Sequence, residues 1–395
     1  MSGHEAEEFL AGPQGLLRSL NARAVLEHVH RAGPVSRAEL AEATGLSKPT
    51  VGVALQALLT AGVLDTETAS TGRPGPSALR YRVRALSGLS VGIDIGHDWT
   101  YVAVADISGE ILARSKARTR RRLPTLVAQL SGLVTSLAAE LGIEAADLGH
   151  AVIGVPAVVA PSGESLALCD VLPDNGLGFP QAVRAALPMP VTLENDVNLA
   201  ALGERAFGYG RDVDNFAFCS VGTGVGVGIV IGGRLYRGVS GSAGEVGYLP
   251  GDDPAVPAEP PLRRAMIDST LSGTAVVEEA RARGLPDDLD GRAVFDLART
   301  GDVRALEVVD LTAHRIAYVI CAVIAVLDPQ LVVIGGGVGL NSDLLLEPVL
   351  DHIRSMSPFQ PHLEVSKSGS DAVLLGAVSM ASELARDAVF AAASR

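Results

Sequence analysis

The chain has 395 residues, of which 48% are apolar and 19% charged, so it can bury a large core and is expected to divide into two or three units. Gly, Pro or a charge interrupts each apolar stretch before the roughly 18 residues of a membrane span, and the opening Met1–Glu8 is acidic. The sequence therefore predicts a soluble, cytoplasmic protein with no membrane partner. Three widely spaced cysteines indicate a reducing compartment and small core residues: Cys169, Cys219 and Cys321.

Charge is distributed unevenly along the chain. The net charge of −13 would discourage nucleic-acid binding if it were spread evenly. Between Gln14 and Arg84, however, nine cationic and five acidic side chains leave the segment at +4. The acidity belongs to the remainder of the chain, so the N-terminal segment is the candidate for a polyanionic partner.

Three helices are predicted after a flexible tail of residues 1–13. Leu16–His30 carries apolar residues at helical spacing. Ser36, with a glutamate three residues later, forms a capping box for a second helix that ends at Gly45. Ser47 caps a third helix, which has a proline in its first turn and extends to Gly62. Two helices joined by a short glycine-containing turn are typical of a helix-turn-helix.

The segment SRAELAEATGLSKPTVGVALQALLTAGVL resembles the winged helix-turn-helix of bacterial repressors. The resemblance implies a DNA-binding domain over residues 14–84, whose third helix enters the major groove of operator DNA. Val63–Glu67 and Leu79–Val83 are predicted to form the wing, with an arginine in its loop for the minor groove. The alternatives are a helical module that contacts another protein, and an ordinary surface arginine in the loop. The candidate DNA contacts are Ser47, Lys48, Thr50, Gln56 and Arg73.

Two strands joined by a tight turn follow in Val91–Leu112. The Asp-x-Gly at the end of the first strand resembles the start of the actin-like sugar kinases, in which this bend approaches the nucleotide phosphates. Those kinases continue with Gly-Thr, whereas this chain has His97 and Asp98. Because a carboxylate facing a triphosphate adds like-charge repulsion, the sequence predicts a degenerate phosphate site.

The second characteristic motif follows a buried strand at Val191–Leu193 and reads Glu-Asn-Asp-Val-Asn at residues 194–198. It resembles the hallmark of the ROK family, which contains bacterial sugar kinases and sugar-responsive repressors with an added winged helix. The resemblance implies an α/β actin-like (ribonuclease H-like) domain over residues 88–395. Its two lobes would face each other across a cleft near residues 194–198 and 244–248.

The resemblance also implies a set of ligand-binding residues. The aspartate that matches the kinase base is treated as vestigial, and the alternative is that Asn195 and Asp196 only cap the following helix. The family histidine that binds sugar and zinc is replaced by tyrosine, and no family cysteine occurs in Asp252–Asp268, so no metal and no cofactor are expected. The acid at the end of that run could equally be an ordinary surface residue. The candidate ligand contacts are Asn195, Asp196, Glu245, Tyr248 and Asp268.

Two glycine-rich stretches resemble the remaining nucleotide loops of the fold. Gly222–Gly228 matches the second phosphate loop, and Val332–Gly339 matches the loop on the adenosine side. Glycines at such turns also allow close packing, and both readings remain open.

Three functions compete at this stage. The leading hypothesis is a sugar-responsive DNA-binding regulator, a repressor of the ROK type that acts as a homodimer or homotetramer. The second is an active or bifunctional ATP-dependent sugar kinase. The third makes the ROK region only an oligomerisation scaffold. The His97–Asp98 turn and the missing zinc ligands favour the first over the second, while Asn195, Asp196 and Glu245 favour it over the third.

Overall fold

The structure, a computed structural model, describes residues 13–68, 79–84, 88–169, 171–250 and 266–393. Arg73 in the predicted wing loop lies outside the described residues, as does the run Asp252–Asp268 up to residue 265.

The N-terminal unit has the predicted winged helix arrangement. Ser36 and Glu39 form the predicted capping box, Gly45 ends the second helix in the left-handed conformation (φ 67°), and Ser47 caps the third. The two wing strands pair antiparallel, and a short strand before the second helix joins them in the order β1-β3-β2. The elements are α1 (Pro13–Ala32), β1 (Val35–Ser36), α2 (Arg37–Thr44), α3 (Lys48–Thr60), β2 (Leu64–Thr68) and β3 (Leu79–Val83).

Lobe 1, residues 88–195, is built on a five-stranded sheet of order β10-β7-β4-β5-β6. Strands β10, β7 and β4 are parallel, so their carboxyl ends meet at one edge, and β5 and β6 are antiparallel to their neighbours. The elements are β4 (Ser90–Ile95), β5 (Trp99–Ala105), β6 (Ile111–Arg118), α4 (Leu123–Glu140), β7 (His150–Val155), β8 (Val158–Val159), β9 (Leu166–Ala167), α5 (Phe179–Ala186) and β10 (Val191–Asn195).

Lobe 2, residues 208–365, has a second five-stranded sheet of order β13-β12-β11-β14-β15, and helix α6 connects it to lobe 1. The chain then ends in a long helix, α13. The elements are α6 (Asp196–Phe207), β11 (Phe216–Val221), β12 (Val225–Ile231), β13 (Arg234–Leu235), α7 (Met266–Leu271), α8 (Gly273–Ala282), α9 (Gly291–Arg299), α10 (Val303–Leu327), β14 (Leu331–Gly335), α11 (Gly336–Gly339), α12 (Ser342–Met356), β15 (Leu363–Val365) and α13 (Ala372–Ala393).

Helices α6 and α13 form the layer between the two sheets. Leu374 and Val378 of α13 pack on the sheet of lobe 1, whereas Ala201 of α6 packs on the sheet of lobe 2. The two helices touch through glycine: a Cβ atom on Gly376 would lie 1.7 Å from the carbonyl oxygen of Leu199. A residue with a side chain does not fit at this crossing, so the backbones of α6 and α13 are in direct contact. The two helices thereby connect the sheets of the two lobes.

Helix α10 is the one helix among the described residues that is long and apolar enough to cross a membrane. It is, however, a core helix, because Ile316, Val319 and Ile320 are fully buried in the main hydrophobic cluster of lobe 2. Of the three cysteines predicted to be core residues, Cys169 and Cys219 are buried and Cys321 is partly buried against the same cluster.

The winged helix unit contacts lobe 1 and α13. Ile107, in the turn between β5 and β6, is 2% exposed and belongs to the hydrophobic core of the winged helix unit. Arg23 of α1 lies near two carboxylates of α13, at 3.7 Å from Glu383 and 3.7 Å from Asp387. An apolar anchor and a set of ion pairs therefore join the N-terminal unit to the body of the protein.

Candidate functional site

The predicted ligand contacts Asn195 and Asp196, together called the ligand ledge, lie where β10 ends and α6 begins. Asn195 caps α6, since its Oδ1 accepts a hydrogen bond from Asn198 N–H (3.0 Å), and its Nδ2 donates to the carbonyl of Ala157 (3.2 Å). The capping role considered as an alternative is therefore real for Asn195. It holds the amide in one orientation, and each amide atom retains capacity for a further hydrogen bond.

Asp196 lies beside this cap as the first residue of α6. Its Oδ1 accepts a hydrogen bond from Val197 N–H (2.9 Å). Burial, together with the nearby carboxylate of Glu245, raises the pKa of Asp196 to about 7. A carboxyl with a pKa near neutrality is suited to accept and release a hydroxyl proton. The structure thus brings Asp196 of lobe 1's edge and Glu245 of lobe 2 into one electrostatic environment.

A further carboxyl near Asp196, that of Asp94, was not among the predicted site residues. Burial, together with the carboxylates of Asp196 and Asp371, raises the pKa of Asp94 to about 8. Asp94 is the aspartate of the Asp-x-Gly at the carboxyl end of β4, where the parallel strands end together. Its motif was the signal that could have identified it, because an acid at that edge of a sheet faces the cleft.

At the predicted degenerate phosphate site, the turn between β4 and β5, the carboxylate of Asp98 has a cationic neighbour that the sequence did not reveal. His97 and Asp98 are both exposed, and their side chains contact each other at 3.1 Å. The guanidinium of Arg121 lies 3.3 Å from His97 Nδ1 and 3.9 Å from Asp98 Oδ1. Because a cation accompanies Asp98, its repulsion of a phosphate is weaker than the sequence alone suggests.

The remaining ligand candidates lie on lobe 2. Glu245 and Tyr248 flank a short 3-10 turn after β13, and both are partly buried. Asp268 of α7 is 6% exposed, and its Oδ1 accepts a hydrogen bond from Val225 N–H (2.9 Å). The alternative that Asp268 is an ordinary surface acid is therefore wrong, since it ties α7 to the start of β12. In the part of the chain that the structure describes, no group of three or more His, Cys, Asp or Glu could hold a metal ion.

The two glycine-rich stretches pack on each other. Gly336 has φ 80°, and a Cβ atom on it would lie 2.4 Å from the carbonyl oxygen of Val221. A Cβ atom on Gly222 would lie 3.4 Å from the backbone nitrogen of Gly337. Close packing thus accounts for Gly336, and the hypothesis of a retained nucleotide site stays untested.

The DNA-binding candidates are grouped around the start of α3. Ser47 and Lys48 are exposed, and Ser47 Oγ accepts a hydrogen bond from Thr50 N–H (3.3 Å) while contacting Thr50 Oγ1 at 2.8 Å. Gln56, two turns later, is also exposed. Ser47, Lys48 and Gln56 are thus accessible and Thr50 is partly buried, and contact of these side chains with DNA stays a prediction.

Two further exposed residues, Arg37 and Val53, lie beside or on α3 and were not among the predicted DNA contacts. The guanidinium of Arg37 donates to the carbonyl of Lys48 through Nε (3.0 Å) and Nη2 (2.6 Å), which places an exposed cation beside the start of α3. Val53 is 58% exposed on α3, although its chemistry predicts burial. An exposed apolar side chain on a DNA-reading helix can contact a thymine methyl group.

Residues 90–384 match the ROK family, and residues 15–73 match the MarR family. The chain is 26% identical over 387 residues to a protein named putative xylose repressor from Caldicellulosiruptor sp. (strain Rt8B.4). The alignment covers 93% of this chain and 97% of that relative.

Two solved structures have the same fold. The first, described as a ROK family transcriptional regulator and homolog of E. coli MLC protein, covers 96% of this chain and 99% of its own, with a TM-score of 0.79 at 22% identity. The second is a ROK family glucokinase from Streptomyces griseus in complex with glucose and AMPPNP, which covers 75% of this chain and 99% of its own, with a TM-score of 0.63 at 26% identity. The ROK match spans more than half of the sequence, and the chain therefore belongs to the ROK family, with a winged helix domain at its N-terminus.

Proposed function

We propose that the protein is a sugar-responsive, DNA-binding transcriptional regulator, a repressor that binds a paired operator as a homo-oligomer. The winged helix supplies the DNA-binding surface at Ser47, Lys48, Thr50 and Gln56, and the wing residue Arg73 is proposed to enter the minor groove. The sugar ligand is held in the cleft. Its proposed contacts are Asn195, Asp196, Glu245, Tyr248 and Asp268.

The observation that carries this proposal is the continuous packing from the cleft to the DNA-binding unit. Helix α6 begins at Asp196 in the cleft and packs against α13 through the Gly203 and Gly376 backbones. The other end of α13 carries Glu383 and Asp387, which lie near Arg23 of the winged helix unit. A ligand that changes the position of α6 against α13 therefore acts on the helix that supports the DNA-binding unit.

The coupling must obey thermodynamic reciprocity. A sugar that lowers the affinity for DNA by some factor is itself bound more weakly, by the same factor, when the protein is on DNA. The size of the response is set by the difference in sugar affinity between the open and closed lobes, and not by the tightness of sugar binding.

The experiment combines DNA binding with a sugar panel. The full chain is titrated against labelled promoter DNA from its own locus by fluorescence anisotropy, at one fixed salt concentration, without sugar and with D-xylose, D-glucose and other pentoses and hexoses. A change in DNA affinity with one sugar supports the proposal. DNA binding that no sugar changes, together with no thermal stabilisation by any sugar, would contradict the sensor function. A ligand at 100 times its dissociation constant should stabilise the fold by about 2.7 kcal/mol.

Residual kinase activity is the second candidate. It is favoured by the raised pKa of Asp196, which suits a general base, and by Arg121 beside the otherwise unfavourable Asp98. Phosphoryl transfer, however, depends on positioned charge around the phosphates more than on the base. A coupled ADP-release assay with ATP and the bound sugar decides between the candidates, because turnover of about 1–100 per second is typical of kinases.

A further inference from the structure

An ion pair connects the two lobes directly beneath the ligand ledge. Arg237, which follows β13 in lobe 2, donates through Nε to Glu194 Oε2 of lobe 1 at 2.6 Å. The Glu194 side chain is 5% exposed, whereas that of Arg237 is 41% exposed. A nearly buried carboxylate is costly unless it is paired and hydrogen-bonded, so Glu194 depends on this arginine.

The same carboxylate organises the ledge itself. Its other oxygen, Oε1, accepts hydrogen bonds from Asn195 N–H (2.9 Å) and from Asn198 Nδ2 (3.0 Å). Asn198 in turn donates its backbone N–H to the cap residue Asn195. Glu194 therefore joins an arginine of lobe 2 to the turn that orients Asn195 and Asp196.

The segment that begins at Arg237 also carries Glu245. Ala243 N–H donates to the carbonyl of Arg237 (3.2 Å), which closes residues 237–243 into a loop. This loop presses on lobe 1, since a Cβ atom on Gly241 would lie 2.2 Å from the carbonyl oxygen of Val159. Fixing Arg237 against lobe 1 thus fixes the loop whose end presents Glu245 to the cleft.

We propose that Arg237 is a positioning residue of the ligand site. Through its pair with Glu194, it sets the separation between the Asn195–Asp196 ledge on lobe 1 and Glu245 on lobe 2. A sugar that contacts both lobes at once requires a particular separation between them. Because the ion pair holds that separation before the sugar binds, it lowers the entropic cost of binding. This inference rests on the proposed sugar-binding cleft, but the interlobe separation can be measured without any sugar.

The test uses four changes in the full chain. Arg237→Met removes the guanidinium, Arg237→Lys keeps the charge, and Glu194→Gln keeps the size of the acid while removing its charge. Arg234→Met is the matched control, because Arg234 is an exposed arginine three residues earlier on β13. Spin labels are placed on α4 and α12 by Ala128→Cys and Ser355→Cys, which replace exposed residues in a Cys321→Ser background.

The distance between the labels is measured by pulsed electron paramagnetic resonance without ligand. Arg237→Met and Glu194→Gln are expected to give a broader distribution shifted to longer distances, Arg237→Lys an intermediate one, and Arg234→Met the unaltered one. Circular dichroism must show that each variant is folded at the measuring temperature. Folded Arg237→Met and Glu194→Gln variants with the distribution of Arg234→Met would overturn the proposal.

A second measurement separates this inference from the proposed function. Titration with D-xylose and D-glucose is expected to show at least about a tenfold loss of affinity in Arg237→Met, equivalent to about 1.4 kcal/mol, with partial recovery in Arg237→Lys. Unchanged affinity in Arg237→Met for a sugar that the unsubstituted chain binds would overturn the positioning role. If the unsubstituted chain binds no sugar of the panel, the sensor function fails, while the distance measurement still decides the role of the pair.

Discussion

Arg23 of α1 lies 3.7 Å from Asp387 of α13, and this contact joins the DNA-binding unit to the last helix of the ROK region. The arginine also contacts Glu27 at 3.2 Å and Glu383 at 3.7 Å, and its side chain is 42% exposed. Exposed ion pairs contribute only about 0–1 kcal/mol each. The pairs therefore orient α1 on α13, and the greater part of the stability of this joint must come from apolar contact.

The apolar contact is Ile107, which leads to the first prediction. Ile107→Ala should lower the free energy of unfolding by about 2–5 kcal/mol, because it removes a side chain that is 2% exposed in the winged helix core. Calorimetry of the full chain should show the winged helix unit melting at lower temperature, with the remainder little affected. Leu112→Ala, at 38% exposure in the adjacent strand, is the control. Equal effects of both changes would contradict an anchoring role for Ile107.

The second prediction concerns the DNA-binding surface. Lys48→Ala and Arg37→Ala should each weaken DNA binding, and each should reduce the slope of log affinity against log salt by about 0.9 if it removes one phosphate contact. Lys116→Ala, in the exposed strand β6 of lobe 1, is the matched control. The measurement is fluorescence anisotropy with one duplex at several salt concentrations. A salt slope that neither change reduces would place the DNA elsewhere on the unit.

Val53 provides a separate test of base contact. Val53→Ala keeps the charge of the surface, so the salt slope should stay constant while the preference for particular A·T positions falls. A uniform loss across all duplex sequences would contradict a thymine contact and indicate a general packing defect.

The winged helix could be predicted closely because its signals are local. Ser36, Gly45 and Ser47 each fix a helix end through their own backbone neighbours, and the structure has all three as expected. The exposed position of Val53 could not be predicted, because exposure of an apolar residue depends on which helix face the tertiary packing leaves uncovered.

Around the proposed ligand site, the sequence identified the strands and turns that carry the candidate residues, but not the side-chain pairs between them. Arg237 and Glu194 are 43 positions apart in the sequence and belong to different lobes. Neither hydrophobic periodicity nor a helix-cap motif could therefore predict their pairing. The salt bridge from Arg121 to Asp98 was missed for the same reason, and it changes the charge of the turn that the sequence presented as purely repulsive. Long-range side-chain pairs are decided by the fold, whereas turns and caps are decided by neighbouring residues.

The third prediction concerns stability against pH. The pKa of Asp94 is raised to about 8 by burial and by neighbouring carboxylates, compared with 3.8 for an unperturbed aspartate. Between about pH 4 and pH 8, the folded state holds a proton on Asp94 that the unfolded state has lost, so stability falls as pH rises. The slope from this one group is at most about 1.4 kcal/mol per pH unit.

Asp94→Asn should remove this part of the slope. The variant is expected to be more stable than the unsubstituted chain at pH 8 and to approach it in stability near pH 4, as measured by urea unfolding across that range. Asp98→Asn, in the exposed turn after the same strand, is the control for the loss of a carboxylate from this part of lobe 1. A parallel offset of Asp94→Asn at every pH would mean that the substitution acts through packing and not through the proton.

The last prediction tests Asp196 as the ligand acceptor. Burial and Glu245 raise the pKa of Asp196 to about 7, so the carboxyl is largely protonated at pH 6 and largely ionised at pH 8. An ionised carboxylate accepts hydroxyl hydrogen bonds, and hydrogen bonds to a charged group contribute about 1.5–3 kcal/mol. Affinity for the responsive sugar should therefore rise with pH across this range, measured by isothermal titration calorimetry.

Asp196→Asn should weaken sugar binding at pH 8 by about 10-fold or more and abolish the rise with pH, because the amide does not titrate. Asp290→Asn is the control, since Asp290 lies at the start of a helix on lobe 2 away from the proposed ligand contacts, where it caps α9 through Ala293 N–H (2.8 Å). That variant should bind sugar as the unsubstituted chain does at both pH values. An Asp196→Asn variant that keeps both its affinity and its pH dependence would remove Asp196 from the site, and would transfer the proton-linked role to Asp94.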